Sequence, residues 1–248
     1  MTPAEPAVRL RQAVLVAREL EPVATRLQSE LGLGGPFRDP GVGEFGLANV
    51  VFAIGDCFLE VVSPVSEGTA AGRQLDRAGS DGGYMVLFDL EDLDGARARA
   101  GRDGVRTVWS IDLPDISGTH MHPADLRGAI VSLDSSRPYG TWRWGGPDWT
   151  ERFGAGADGR LLGIAVAVAA PEKTAARWAA VLGAPASRDE EGPFVEMSDG
   201  ARVRFAAAPP GGVEQIVEIA LALPASVRAG RAQLEIGAVR LTLTDLEP

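Results

Sequence analysis

The chain has 248 residues, 45% of them hydrophobic and 23% charged, with a formal net charge of -10 at pH 7. That length holds one large domain or two small ones with a sizeable core, and the negative charge argues against a nucleic-acid partner, because phosphate backbones are bound by cationic surfaces. Cys57 is the only cysteine, which excludes an internal disulfide or a cysteine-built metal site within one chain and suits a reducing cytoplasm.

The opening MTPAEPAVRL lacks a basic region followed by an apolar run, so no signal peptide is expected. No apolar run is long enough to span a bilayer. RQAVLVARELEPVATRLQSELGLGG reads as strand, turn, helix and stop. Pro22 suits a first helical turn, Val23, Leu27 and Leu31 share a face, and Gly32 is placed for a left-handed cap. LANVVFAIG and CFLEVVSP then read as two strands joined at Gly-Asp, with Cys57 a small core residue. GYMVLFDLEDLDGARARAGRDGVR is a strand and a helix with Leu93, Ala96 and Ala100 on one face, followed by a break. THMHPADLRGAIVSLD supplies a closing hairpin.

The connector SSRPYGTWRWGGPDWTERFGAGADGR carries Trp142, Trp144 and Trp149. Three large aromatics need apolar cover, so it reads as a packed linker, with an aromatic lid over a ligand pocket as the functional alternative. LLGIAVAVAAPEKTAARWAAVLGAP then repeats the first plan. Pro171 opens its helix, Ala175, Trp178, Ala179 and Leu182 share a face, and Gly183 closes it. PFVEMS and ARVRFAAAP form an Asp-Gly hairpin. VEQIVEIALALPASVRAGRAQLEIGAVRLTLTD reads as a shortened last unit with little or no helix. Four β–α–β–β–(β) units result, paired as domains at 9–135 and 159–246, with the connector at 136–158.

QAVLVARELEPVATRLQSELGL, FLEVVSP, GYMVLFDLEDLDGARARAGRDGVR and HPADLRGAIVSLD occur in an order that resembles the vicinal oxygen chelate superfamily. That superfamily includes glyoxalase I, extradiol dioxygenases, bleomycin-resistance proteins and methylmalonyl-CoA epimerase, the last being the nearest local likeness. The resemblance implies an α+β fold of tandem glyoxalase-like domains, each a cupped mixed sheet made from two βαβββ units. It also implies a divalent metal in the cup, held by the first and last strand of each unit, which chelates substrate oxygens.

Carried over position by position, that ligand set falls on Gln12, Glu60, Met85 and Ser132. Only Gln12 and Glu60 are credible donors to a hard cation, so a standard metal is not expected. In 159–246 the matching positions fall near Gly163, Phe205, Glu218 and Leu241, which is a poorer set.

Glu60 sits mid-strand, either toward solvent or in the cup, and the phase with Gln12 that the resemblance supplies favours the cup. Buried there without a metal, its pKa rises, as suits a general base. His120 and His122, the only two histidines, alternate onto one strand face. A metal reading needs them to converge with Glu60 or Asp125. Otherwise His122 is a structural residue at a turn and His120 alone projects into the cup. Tyr84 either donates to a substrate carbonyl or packs its ring. Ser132 and Met85 line the cup, and Trp109 lies near it.

Two functions follow. In the first, Glu60, Gln12 and His120 act in an isomerase-, epimerase- or lyase-like proton transfer beside a carbonyl, with Tyr84, Ser132, Met85 and Trp109 binding substrate. In the second, the chain binds or sequesters a small molecule without turnover. On either reading the partner is a small molecule and the protein is a monomer or homodimer. The second domain has the character of a structural partner, its cup filled by side chains.

Overall fold

The structure, a computed structural model, describes residues 6–151, 158–228 and 230–246. The first sheet is built from β1 (Val8–Val16), β2 (Leu47–Ile54), β3 (Cys57–Pro64), β4 (Gly82–Leu90), β5 (Thr107–Asp112), β6 (Ile116–Met121) and β7 (Ile130–Ser136). Their spatial order is β2-β3-β1-β4-β7-β6-β5. β1 and β4 run antiparallel at the centre, and each has a parallel outer neighbour, β3 and β7. The second sheet repeats this with β8 (Arg160–Val168), β9 (Ala186–Asp189), β10 (Gly192–Glu196), β11 (Arg202–Ala207), β12 (Gln215–Leu223), β13 (Gln233–Ile236) and β14 (Val239–Asp245). Its order is β13-β14-β12-β8-β11-β10-β9. The fold is therefore α+β, with two mixed sheets.

The helices form where apolar spacing and stop signals place them. α1 (Leu20–Leu31) buries Ala24, Leu27 and Leu31 and ends at Gly32, whose φ of 55° lies in the left-handed region that glycine adopts without steric cost. α3 (Leu93–Arg102) buries Leu93, Ala96 and Ala100. α4 (Pro171–Leu182) has its proline in the first turn and buries Ala175, Trp178, Ala179 and Leu182. The last unit has only the short helix Ala225–Arg228.

Among the described residues, two strands and one α-helix are additional to those read from the sequence: β5, β9 and α2 (Ala70–Ala78). The two strands are short, largely exposed edge strands, of which β5 half-buries only Trp109 and Ile111. α2 is short, but it does carry a legible start, since the Thr69 hydroxyl accepts from the Gly72 N–H at 2.9 Å. It lies on the concave side of the first sheet, where Ala71 and Leu75 join the cup cluster.

One apolar core runs through both halves. Trp178 of α4 meets Phe88 of β4 and Phe205 of β11 edge-on, with ring centroids 6.2 and 5.4 Å apart. β4 packs on β12 so closely that a Cβ at Gly83 would lie 2.4 Å from the Ile216 side chain. Arg99 of α3 donates to the carbonyls of Val181 and Leu182, at 3.1 Å each, where α4 leaves its last carbonyls unpaired.

Each central strand carries one bulge, at Arg11, Tyr84, Leu162 and Val217. The residues that follow are Gln12, Met85, Gly163 and Glu218, so these four positions are structurally equivalent. A bulge re-aims a side chain and bends the strand, which curls each sheet into a cup.

Candidate functional site

Phe58, Gln12, Leu87, Ser132, His120 and Trp109 are successive cross-strand partners on six adjacent strands and form one row across the first sheet. Glu60 lies one step along, paired with Val14, as Ser132 is paired with Leu87. The concave face above this row holds Val14, Val16, Phe58, Val62, Met85, Leu87 and Trp142 in one apolar cluster. Gln12, Glu60, Met85 and Ser132 therefore share the cup.

Glu60 is 7% exposed. Gln12 Nε2 donates to its Oε2 and Asn49 Nδ2 to its Oε1, each at 2.7 Å. Burial pushes its carboxyl up to about 7, while the two amide donors hold it from rising further. Gln12 is fixed in turn, because its Oε1 accepts from the Trp142 indole N–H at 2.8 Å. The bulge at Tyr84 turns the phenol toward the same cluster. Burial raises Tyr84 to about 12, and the nearby Glu60 charge adds to that rise, so the phenol keeps its proton at neutral pH.

The connector packs into this cup. Trp142 is 1% exposed and stacks 6.3 Å from Phe58, and Trp144 Nε1 donates to Asp134 Oδ1 at 2.9 Å. The bulge residue Arg11 is fully buried, with its guanidinium 5.6 to 5.7 Å from the rings of Phe58, Trp142 and Trp149, and donates to the Gly140 carbonyl at 2.6 Å. The tryptophan segment is thus a packed linker. Residues 152–157 of the connector lie outside the described residues. Asp134 is buried and its carboxyl is pushed up to about 7 by desolvation.

His120 and His122 do not share a strand. β6 ends at Met121, and His122 begins the turn, where its Nδ1 accepts from the Ala124 N–H at 3.1 Å. The proline that follows disfavours further strand pairing, so the converging histidine pair is not formed. The His120 ring lies tilted against Trp109 and Phe45, with centroids 4.4 and 5.9 Å away, and burial lowers it to about 4, which leaves it neutral at pH 7. Trp109 Nε1 donates to Glu44 at 2.8 Å, so these residues form an aromatic rim.

The donors at the four ligand positions do not fit a divalent cation. Both Glu60 oxygens and the Gln12 carbonyl are taken by N–H donors, Met85 offers a thioether, and Ser132 a neutral hydroxyl. Among the described residues, no group of three or more His, Cys, Asp or Glu is placed to hold a metal ion.

The second cup departs from expectation at two positions. By register the residues equivalent to Glu60 are Arg204, opposite Ala165, and Thr242, opposite Ala220. Phe205 and Leu241 point to the other face, into the core. A one-residue slip along a strand exchanges faces. Arg204 is held by both Asp189 oxygens, at 2.9 and 2.8 Å, and lies over Phe194. A guanidinium thus stands where a cation ligand would be needed.

Asn49 and Asp134 were not legible as site residues. The available signal was a lone amide in the apolar run LANVVFAIG and a carboxylate two positions after Ser132 on the same strand face.

No protein-family model matches the chain. An ethylmalonyl-CoA/methylmalonyl-CoA epimerase of Cereibacter sphaeroides is 26% identical over 134 residues, 51% of this chain and 96% of the relative. Among solved structures, a triple mutant of 4-hydroxymandelate synthase from Streptomyces coelicolor aligns with a TM-score of 0.69 over 93% of this chain and 77% of that one, at 16% identity. Methylmalonyl-CoA epimerase from Mycobacterium tuberculosis aligns over 51% of this chain and 87% of its own length, at 19% identity and a TM-score of 0.46. The fold is that of tandem vicinal oxygen chelate domains, and about half of the chain is related in sequence to an epimerase.

Proposed function

We propose that this tandem glyoxalase-fold chain moves a proton at the carbon beside the carbonyl of an acyl thioester, in its first cup and without a metal. The observation that carries this reading is Glu60, a buried carboxylate held by two amides in an apolar cup and raised to about 7. A base poised near the working pH combines a populated ionised form with enough proton affinity to take a carbon acid's proton. Glu60 takes the proton, the electron pair moves to the carbonyl oxygen as an enolate, and Glu60 returns the proton to carbon. Tyr84, protonated and packed against the same apolar cluster, donates to the enolate oxygen. Gln12 orients the base. His120, Ser132, Met85 and Trp109 shape the substrate space. The relation to an epimerase named for ethylmalonyl-CoA and methylmalonyl-CoA supports the thioester class.

The test is deuterium incorporation at C2 of methylmalonyl-CoA in heavy water. We expect exchange by the wild-type protein, and a loss of at least ~100-fold in Glu60→Gln with its circular dichroism unchanged. Equal rates in the two proteins would remove Glu60 from the role.

A second reading is ligand binding without turnover. It is favoured by the rim of Phe45, Trp109 and His120 at the cup. Calorimetry showing one thioester bound per chain, with no deuterium entering C2, would select it.

A further inference from the structure

Asn49 lies outside the four equivalent positions of the cup, yet it is 4% exposed and both ends of its amide are used. Nδ2 donates to Glu60 Oε1 at 2.7 Å, and Oδ1 accepts from the Asp39 backbone N–H at 2.8 Å. The second bond fixes the orientation of the amide. With its oxygen committed to Asp39, only its donor end faces the carboxylate.

Asp39 begins the 3-10 turn Pro40–Phe45, and its carboxylate accepts from the Gly41 N–H at 2.8 Å. The same turn carries Glu44, which accepts from Trp109 Nε1 at 2.8 Å, and Phe45, which meets Trp109 edge-on at 5.5 Å. The turn leads into β2, and Trp109 belongs to β5; these strands are the two opposite edges of the sheet. Residues 39–45 therefore join the edges across the mouth of the cup and also hold the amide that holds Glu60.

We propose that Asn49 is a positioning residue, which ties the orientation of the Glu60 carboxylate to closure of the Glu44–Trp109 rim. The inference rests on the proton-transfer reading given above. When the rim opens, Asp39 withdraws its N–H and the Asn49 amide is free to rotate. It is then no longer fixed in direction, and the base loses the set geometry of one of its two donors.

The deuterium assay separates the parts. Asn49→Asp keeps an acceptor for Asp39 and replaces the amide donor to Glu60 by a second carboxyl, which competes with the base for its proton. Trp109→Phe keeps a ring on the rim and removes the bond to Glu44. We expect kcat to fall by ~10- to 100-fold in the first variant with KM within about twofold of wild type, as for a misplaced group, and by about tenfold in the second, whose KM also rises because Trp109 shapes the substrate space. Wild-type kcat in both variants overturns the inference, and so does a rise in KM alone. Loss of exchange in Glu60→Gln together with normal Asn49→Asp removes this inference and keeps the proton-transfer reading. No exchange by the wild-type protein removes both. Should Asn49→Asp fail to fold, the half-buried Trp109 decides the matter.

Discussion

Trp142 and Gln12 are 130 residues apart in sequence and share a 2.8 Å hydrogen bond inside the first cup. The bond is one link in a chain that runs from the connector through Gln12 to Glu60, and from Glu60 back through Asn49 to Asp39. Glu60 accepts from both directions. Connector, first sheet and rim turn thus converge on one carboxylate.

Trp142→Phe tests the connector side. It keeps most of the apolar contact and leaves the buried Gln12 carbonyl without its donor, at a cost of about 1–3 kcal/mol. Trp142→Ala adds a cavity and costs about 3–5 kcal/mol. Urea unfolding should rank wild type above Trp142→Phe above Trp142→Ala. Equal midpoints would mean that the connector does not hold the cup.

The pH dependence of stability has a defined sign. Glu60 rises from an ordinary 4.5 to about 7 on folding, and Asp134 from 3.8 to about 7. Between those limits the folded state binds more protons than the unfolded state. The contribution of these two carboxyls therefore falls as pH rises from about 4 to about 7 and is level above that, while His120, lowered from 6.5 to about 4, contributes in the opposite direction below about pH 6.5. For each carboxyl, every tenfold gain in proton affinity on folding sets an upper bound of about 1.4 kcal/mol on the fall. Urea midpoints at pH 5 and pH 8 measure it. Glu60→Gln and Asp134→Asn should each reduce the difference between the two, and an undiminished difference in both variants would assign it elsewhere.

Added zinc, manganese, cobalt, nickel or magnesium should leave the melting temperature unchanged. The donors at Gln12 and Glu60 are already bonded, and Arg204 fills the matching place in the second cup. A cation present at 100 times its dissociation constant would add about 2.7 kcal/mol. A saturable rise of several degrees would therefore show that the amides and the carboxylate rearrange around a metal.

Gly83→Ala probes the contact between the sheets. Its Cβ would meet the Ile216 carbonyl at 2.5 Å and the Ile216 side chain at 2.4 Å. Overpacking of this kind costs about 1–3 kcal/mol. Because one core runs through both halves, the loss should appear as a lower single melting transition and not as two transitions.

Much of this architecture was legible because the same plan is written repeatedly. A strand, a proline-led helix and a glycine stop recur at residues 11–35 and 161–185, and the shared phase of Gln12 and Glu60 came from the family resemblance. The second cup was harder. In RVRFAA and VRLTLTD the apolar residues face the core, and the cup takes Arg204 and Thr242 between them. Nothing in those strings reveals the bulges at Leu162 and Val217 that set their register. Asn49 escaped notice because its importance depends on partners at positions 39 and 60, which are brought together only by the turn and the strand pairing. His122 stands at the turn entrance, one residue beyond the end of β6, as its structural reading has it, and only the alternation with His120 along one strand fails.

The placement of the tryptophans has an optical consequence. Trp109 stands at the rim, Trp142 in the cup and Trp178 where the two halves meet. Indole emission shifts with the polarity around the ring, so each of these positions answers to a different event. Opening of the rim is written in Trp109, loosening of the connector in Trp142, and separation of the halves in Trp178. A set of variants that each keep one of these indoles would let the three events be timed separately, without an attached dye.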